Sequence, residues 1–384
     1  MSLITDTASL TAFCERLAGT AFVTVDTEFM RETTYWAKLC LIQVAGPDEA
    51  QCIDPLAPGI DLAPFHALLA DEKVLKVFHA GRQDLEIFCH ATGSIPKPIF
   101  DTQVAAMVCG FGDQVGYETL VAKLAGAQLD KSQRFTDWSL RPLTDRQIKY
   151  ALGDVTHLRK VYEVLSAKLK DNDRMGWLQE ELAVLSDAKT YRNEPKDSWR
   201  RIKARTRSPR LLAVLQALAA WREVTAQTQD LPRQRVAKDD ALLELAASQP
   251  VTVDDVKRSR LAKPLASSKY VDGVLAAVAA GKAMPDKDCP RIERDDSWDN
   301  QAPRAIVELL KLLLKTCSER HHVAQRLIAT SDEIEAIAQS DAADVPAMHG
   351  WRRELFGEDA LKLKHGKLAV GLSADGNNVE IFER

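Results

Sequence analysis

Residues 21–29 read A-F-V-T-V-D-T-E-F, an apolar run that ends by presenting two carboxylates one residue apart. Phe22, Val23 and Val25 are aromatic or β-branched, and Gly19 and Thr20 lie just upstream, so the run reads as a buried strand. Successive side chains of a strand point to opposite faces, which puts Asp26 and Glu28 on the same side. Two like charges on one face repel unless something positive lies between them, and a hard divalent cation fills that place best. The alternative is an exposed strand end, because D-x-E is a common pair by chance.

Three later residues weigh towards the metal. Asp84, in V-F-H-A-G-R-Q-D-L-E-I-F, follows a strand over Lys73–Phe78 and opens an amphipathic stretch whose apolar members are Leu85, Ile87 and Phe88. Tyr150 and Asp154 lie in L-T-D-R-Q-I-K-Y-A-L-G-D-V, where Thr144 and Gln147 form a capping-box pattern that starts a helix. At i and i+4 they share one helix face, a phenol beside a carboxylate.

The elements between them alternate. Ser9 reads as the N-cap of a helix over Leu10–Leu17. Strands are expected over Lys38–Ala45 and Gln51–Asp54, with Gly46, Pro47 and Asp48 as the turn. A helix over Leu62–Leu69 feeds the next strand, Ile99–Phe100 is a short strand, and helices follow over Thr102–Val108 and Tyr117–Leu124. This alternation predicts a mixed sheet with helices on its faces. Asp101 reads as the N-cap of the helix it precedes, not as a ligand, and His79 as a hydrogen-bonded structural residue at a strand end.

The order D-x-E, D, Y-x-x-x-D resembles the three exonuclease motifs of the DEDD superfamily in its tyrosine-bearing branch. The surrounding words F-M-R-E-T-T-Y-W-A-K-L-C-L-I-Q-V, F-D-T-Q-V-A-A and T-D-W-S-L-R-P-L-T-D-R-Q narrow the resemblance to the ribonuclease D family over roughly the first half of the chain. The other branch carries a His shortly before its last Asp, and here none lies between Tyr150 and Asp154. The resemblance implies a ribonuclease-H-like α/β exonuclease domain over residues 1–170. It also implies a 3′–5′ exoribonuclease releasing nucleoside 5′-monophosphates from RNA with a free 3′ end, such as transfer-RNA precursors.

Phosphodiester hydrolysis needs a hydroxide near neutral pH and a neutralised leaving oxygen, which two divalent ions can supply. On this pattern Asp26, Glu28 and Asp154 would hold one ion, and Asp26 and Asp84 the other. Mg²⁺ fits best and Mn²⁺ is a substitute. Tyr150 would orient the attacking water. Phe29 and Met30 are candidates to stack against the terminal base, or are core residues. Gln43 and the loop from Lys131 to Trp138 are candidates to line the groove.

A length of 384 residues suits two or three domains, and 46% hydrophobic with 28% charged residues describes a globular chain. Net charge is −4, so a nucleic-acid partner needs a local basic surface. Seven scattered cysteines, without C-x-x-C or a Cys/His cluster, suit a reducing cytosol and argue against structural zinc. There is no signal-peptide pattern and no apolar run long enough for a bilayer, so a cytoplasmic protein with no membrane partner is expected. G-x-x-x-x-G-K-[ST] is absent, which speaks against a nucleotide triphosphate cofactor.

Residues 171–208 read as a helical and basic linker. Within it K-D-S-W-R-R-I-K-A-R-T-R-S-P-R (Lys196–Arg210) is either a solvated linker or a phosphate-contacting surface around Trp199. From Pro209 the pattern is nearly all helix. R-L-L-A-V-L-Q-A-L-A-A-W-R and L-P-R-Q-R-V-A-K-D-D-A-L are similar to the HRDC domain, a helical nucleic-acid-binding module, expected over 209–284. After a linker at 285–301, residues 302–384 look like a diverged all-α second copy: D-E-I-E-A-I-A echoes D-A-L-L-E-L-A, with His322-Val323 where the first has Leu231-Pro232. It either touches nucleic acid or packs as support, and Trp351 reads as core. Two rivals stand beside this reading: a DNA-directed 3′–5′ exonuclease, which would use the same carboxylates, and a non-catalytic RNA-binding adaptor, which would need the acidic set broken.

Overall fold

Residues 3–130, 132–292 and 303–384 are described by a computed structural model. They fall into two units. The first unit holds the chain up to Glu28, Cys40–Thr190 and the described residues from 303 on.

Its centre is a six-stranded sheet of β1 (Leu3–Ile4), β2 (Phe22–Met30), β3 (Lys38–Ala45), β4 (Ala50–Ile53), β5 (Leu75–Phe78) and β6 (Ile99–Asp101), in the spatial order β1-β4-β3-β2-β5-β6. β3 and β4 run antiparallel, with Gln43 opposite Cys52, whereas β2 pairs parallel with β5 and β5 with β6. The sheet is therefore mixed, as the alternating pattern predicts, and β2 lies in its interior. Among the helices are α1 (Thr7–Leu17), α2 (Ala63–Ala70), α3 (Arg82–Thr92), α4 (Thr102–Val108), α5 (Tyr117–Leu120), α6 (Asp145–Asp171) and α7 (Met175–Ser186).

Three local readings need correction. Asp6, not Ser9, caps α1: its carboxylate accepts the Ser9 N–H at 2.9 Å and the Ser9 hydroxyl at 2.8 Å, so Ser9 lies inside the first turn. The helix beginning at Tyr117 does not stay α-helical, but widens into a π turn over Val121–Ala125 that ends at left-handed Gly126. The chain also closes with a β-hairpin, β7 (Leu368–Leu372) and β8 (Val379–Glu383), in a segment expected to be all helix.

The C-terminal segment is built on α14 (Arg304–His321), α15 (Gln325–Ile328) and α16 (Ser331–Gln339), and it shares its core with the α/β part of the unit. Val108, Leu165, Leu169 and Leu178 belong to the same buried cluster as Leu310, Leu314, Ile328 and Phe356. Ala324 N–H donates to the Met107 carbonyl at 2.9 Å, and the Arg174 guanidinium reaches the Val108, His321 and His322 carbonyls. Gly110 has φ +79°, and a Cβ there would stand 2.5 Å from the His322 carbonyl, so only glycine permits this approach. Trp177 stacks on Trp351 with centroids 4.5 Å apart, and Glu180 accepts the Trp351 indole N–H at 3.1 Å. Trp351 is core, as its sequence context suggests.

The second unit holds Phe29–Leu39 and the described residues from Tyr191 to 292. Its helices are α8 (Pro209–Thr228), α9 (Arg233–Val236), α10 (Asp239–Ser248), α11 (Val253–Arg258), α12 (Lys263–Ala266) and α13 (Val271–Ala283). Trp199 and Ile202 are buried in its core with Leu212, Leu215 and Leu242, whereas Arg200, Arg201, Lys203, Arg205 and Arg207 stay exposed. The tryptophan of the basic run is thus a packing residue, whereas these charges face solvent. Segment Phe29–Leu39 is clamped on α8. The Tyr35 hydroxyl donates to fully buried Glu223, which also pairs with Arg233 at 2.5 Å, and Asp230 accepts the Tyr35 and Trp36 N–H groups at 3.0 and 2.9 Å.

The shared core of the first unit predicts that residues 1–192 do not fold alone. Cutting there should strip the Val108 and Leu169 faces of their cover, abolish a cooperative unfolding transition and create binding of a hydrophobic dye. A fragment that melts like the full chain and binds no dye would contradict it.

Candidate active site

Strand β2 delivers Asp26 and Glu28 to one face, and helix α6 delivers Tyr150 and Asp154 to the same place. The helix starts where the sequence says: the Thr144 side chain accepts the Gln147 N–H at 3.3 Å, and the Gln147 amide oxygen accepts the Thr144 N–H at 2.9 Å. Thr24 ties α6 to the strand, its hydroxyl donating to the Val155 carbonyl at 2.8 Å. Carboxylate oxygens of Asp26, Glu28 and Asp154 lie within 4.8 Å of one another. Each side chain is half-buried, as is Tyr150. Trp138, buried, flanks Tyr150 with ring centroids 6.0 Å apart.

Asp84, in the first turn of α3, is 6% exposed and accepts the hydroxyl of Thr27, the residue between the two strand carboxylates. It stands outside the close trio, yet its charge pushes up both Asp26 and Glu28. The turn that launches α3 is fixed by Asp101, whose carboxylate accepts N–H groups from Ala80 and Gly81 as well as from Gln103 and Val104 at the start of α4. Asp101 is an N-cap, as expected. The His79 ring bonds Thr102 Oγ1 at 3.0 Å and fits its structural reading.

The electrostatics are those of crowded carboxylates. Burial first, then Asp154 and Asp84, raises Glu28 from its ordinary 4.5 to about 8. Burial raises Asp154 to about 7 and Asp84 to about 6, and Asp26 is pushed well above the usual range by burial and by all three neighbours. Like charges ~4 Å apart repel by about 4 kcal/mol at the effective dielectric of a protein surface, so the trio does not ionise fully on its own at neutral pH. An all-oxygen donor set of this kind fits a hard divalent cation. Tyr150 is raised above the phenol range by burial, then by Asp154, and keeps its proton.

The site opens into a cavity of about 380 Å³ lined by Asp26, Tyr150, Asp154, Tyr117, Leu129 and Arg134, among others. Tyr117 was not singled out in the sequence. Its hydroxyl donates to the Gly153 carbonyl at 3.0 Å, steadying the turn of α6 before Asp154. Thr27 was also overlooked, although it is the middle residue of D-x-E. Gln43 requires correction: it is fully buried in β3, between β2 and β4, and presents no surface to a groove. Phe29 and Met30 close β2 half-buried and are absent from the cavity lining. Lys131 lies outside the described residues.

Comparison with known proteins agrees with this geometry. Residues 1–170 match the model of the 3′–5′ exonuclease family, and residues 211–278 match the HRDC domain. The chain is 51% identical to ribonuclease D of Gluconacetobacter diazotrophicus, over 98% of this chain and 96% of that one. It is 53% identical to ribonuclease D of Nitrobacter hamburgensis, over 97% of each. The crystal structure of Escherichia coli RNase D, an exoribonuclease involved in structured RNA processing, superposes with a TM-score of 0.78 at 29% identity, covering 95% of this chain and 98% of that one.

In the presence of a chelator, the melting temperature should fall as pH rises from about 5 to 8. Over that window folded Glu28, raised to about 8, holds a proton that the unfolded chain has already lost, so stability drains away with rising pH. Mn²⁺ should flatten the fall, and Asp26→Ala should remove the Mn²⁺ effect. A chelated protein with no such slope would contradict the crowding.

Proposed function

The chain belongs to the ribonuclease D family and is a 3′–5′ exoribonuclease, and from that premise we propose that Asp26, Glu28, Asp84, Tyr150 and Asp154 carry the reaction. We read the product as nucleoside 5′-monophosphates and the substrates as RNAs with a free 3′ end, transfer-RNA precursors foremost. The observation that supports this assignment is the convergence of β2 and α6 on three carboxylates within 4.8 Å.

The exonuclease fold implies a divalent metal, and the donor set suits it. We assign one ion to Asp26, Glu28 and Asp154 and a second to Asp26 and Asp84, with Mg²⁺ first and Mn²⁺ as a substitute; when bound they supply a water ionised near neutral pH and offset charge on the leaving 3′-oxygen. Tyr150, held protonated, orients that water by a hydrogen bond and is no base at pH 7. Thr27 holds Asp84 in place until it is needed, and Tyr117 supports the helix turn that carries Asp154.

The exposed arginines and lysine beside Trp199 support a phosphate-contacting role for the run into the HRDC domain. We read residues 302–384 as a diverged second copy of that domain. The order long helix, single-turn helix, helix over α8, α9 and α10 recurs in α14, α15 and α16, with the single-turn helices of each copy ending at an extended alanine, Ala237 and Ala329. No helix among the described residues is long and apolar enough to cross a membrane. The seven cysteines are buried thiols, which suits a cytosolic setting.

Incubated with Mg²⁺, an RNA with an unpaired 3′ tail should yield a ladder shortening from its 3′ end, while DNA of the same sequence is cut more slowly. Asp154→Ala should abolish the ladder and Tyr150→Phe should lower kcat about a hundredfold, the smaller end of what positioned proton-handling groups contribute. Faster loss of the DNA, read on the same gel, would move the substrate class. An unchanged kcat in Tyr150→Phe would remove that residue from the reaction.

A further inference from the structure

The 380 Å³ cavity is at the small end for a ligand site, so a polynucleotide can place only its terminus inside and must cross the rim with the rest. The described lining is acidic: Asp26, Glu118, Asp130 and Asp154 face it, and Arg134 is the one arginine or lysine among those residues. Next to it on the rim is Phe135, 92% exposed, with the Arg134 guanidinium 5.3 Å above its ring. Exposed apolar side chains are ordinary when scattered. This one is a whole aromatic ring joined to the one arginine or lysine of the described lining, in a site that must receive a polyanion.

The loop is anchored at its far end. Arg141 grips Asp54 through two bonds of 2.7 and 2.6 Å and donates to the Trp138 and Cys40 carbonyls, and Trp138 is buried beside Tyr150. Arg134 is also close enough to Tyr150 for its charge to act on the phenol. Hydrogen bonds from Ser132 hold the Asp130 carboxyl below its ordinary value, and the charges of Arg146 and Lys149, exposed on the first turns of α6, add to this. The mouth of the acidic cavity therefore carries a basic, aromatic edge.

We propose that Arg134 and Phe135 form an RNA clamp on the cavity rim, with Arg134 taking a backbone phosphate and Phe135 stacking on a base at least two nucleotides 5′ to the scissile bond. Aromatic stacking tolerates any base because every base has a π face, whereas the guanidinium meets the charge that the carboxylates repel. The clamp discriminates by length: a dinucleotide ends before the rim, and a longer strand crosses it. The inference rests on the reading above that a 3′ end occupies this cavity.

The test compares a seven-nucleotide oligouridylate with a uridine dinucleotide on the full chain. In Phe135→Ala, the preference for the longer RNA, taken as the ratio of the two kcat/KM values, should fall about tenfold through KM, in the lower part of the range for one stacked base. Phe135→Trp should restore it, and Arg134→Ala should lower it with a reduced dependence on salt. A preference unchanged in Phe135→Ala, or an equal loss on both substrates, would overturn the clamp. Binding of fluorescein-labelled oligouridylate in Ca²⁺, without turnover, separates the two readings. If the parent protein cleaves neither RNA while Phe135→Ala still weakens binding, the exonuclease assignment fails and the clamp stands. If binding is unchanged, the clamp fails whatever the cleavage.

Discussion

Mutual repulsion among carboxylates is the constraint on which the first unit depends. Asp26, Glu28 and Asp154 would separate in a flexible chain, and here they are held within 4.8 Å because each sits on an element fixed from elsewhere. β2 is held between β3 and β5 inside the sheet, and α6 is locked by its capping box and by Thr24. Burial first, and the neighbouring charges after it, raise the proton affinity of the group, with Glu28 reaching about 8. The fold thus stores a demand for positive charge at one point, and the chemistry follows from what answers it.

The same rigidity accounts for the size of the supporting core. A helix of 27 residues carries Tyr150 and Asp154 near its start, while its later turns bury Leu165 and Leu169 against the C-terminal segment. Burial of that far end restrains the near end, because a helix this long moves as one body. Gly110, Arg174 and the stacked Trp177–Trp351 pair are therefore tied to the site through α6 and α7 although none of them faces it.

Much of the site could be read from the chain because its signals are local. Alternation in a strand put Asp26 and Glu28 on one face, and the capping box placed Tyr150 and Asp154 at i and i+4 on a real helix. Ser9 was misplaced by one turn because Asp6 offers the stronger acceptor three residues earlier. What long-range packing decides was not legible. Gln43 looked available for substrate, but strands on both sides enclose it. The bond from Thr27 to Asp84 joins residues 57 apart, and the union of α7 with the segment around Trp351 spans 171. The closing hairpin escaped because the echo of the first helical module in residues 332–338 sets a helical expectation for the whole segment, and the two strands pair only with each other.

The clamp on Tyr35 has a consequence for how the molecule is made. The chain leaves the first unit at the end of the strand that carries Asp26 and Glu28 and contributes Phe29–Leu39 to the second unit. Tyr35 then waits for Glu223, 188 residues later in the sequence. At a synthesis rate of ~5–20 residues per second, that wait is roughly 10–40 s on the ribosome. During it the loop leaving the acidic strand has no partner on α8, so the nascent chain carries its carboxylates before the structure that fixes their exit has emerged. The order of translation thus delays completion of that loop until the HRDC helix has been made.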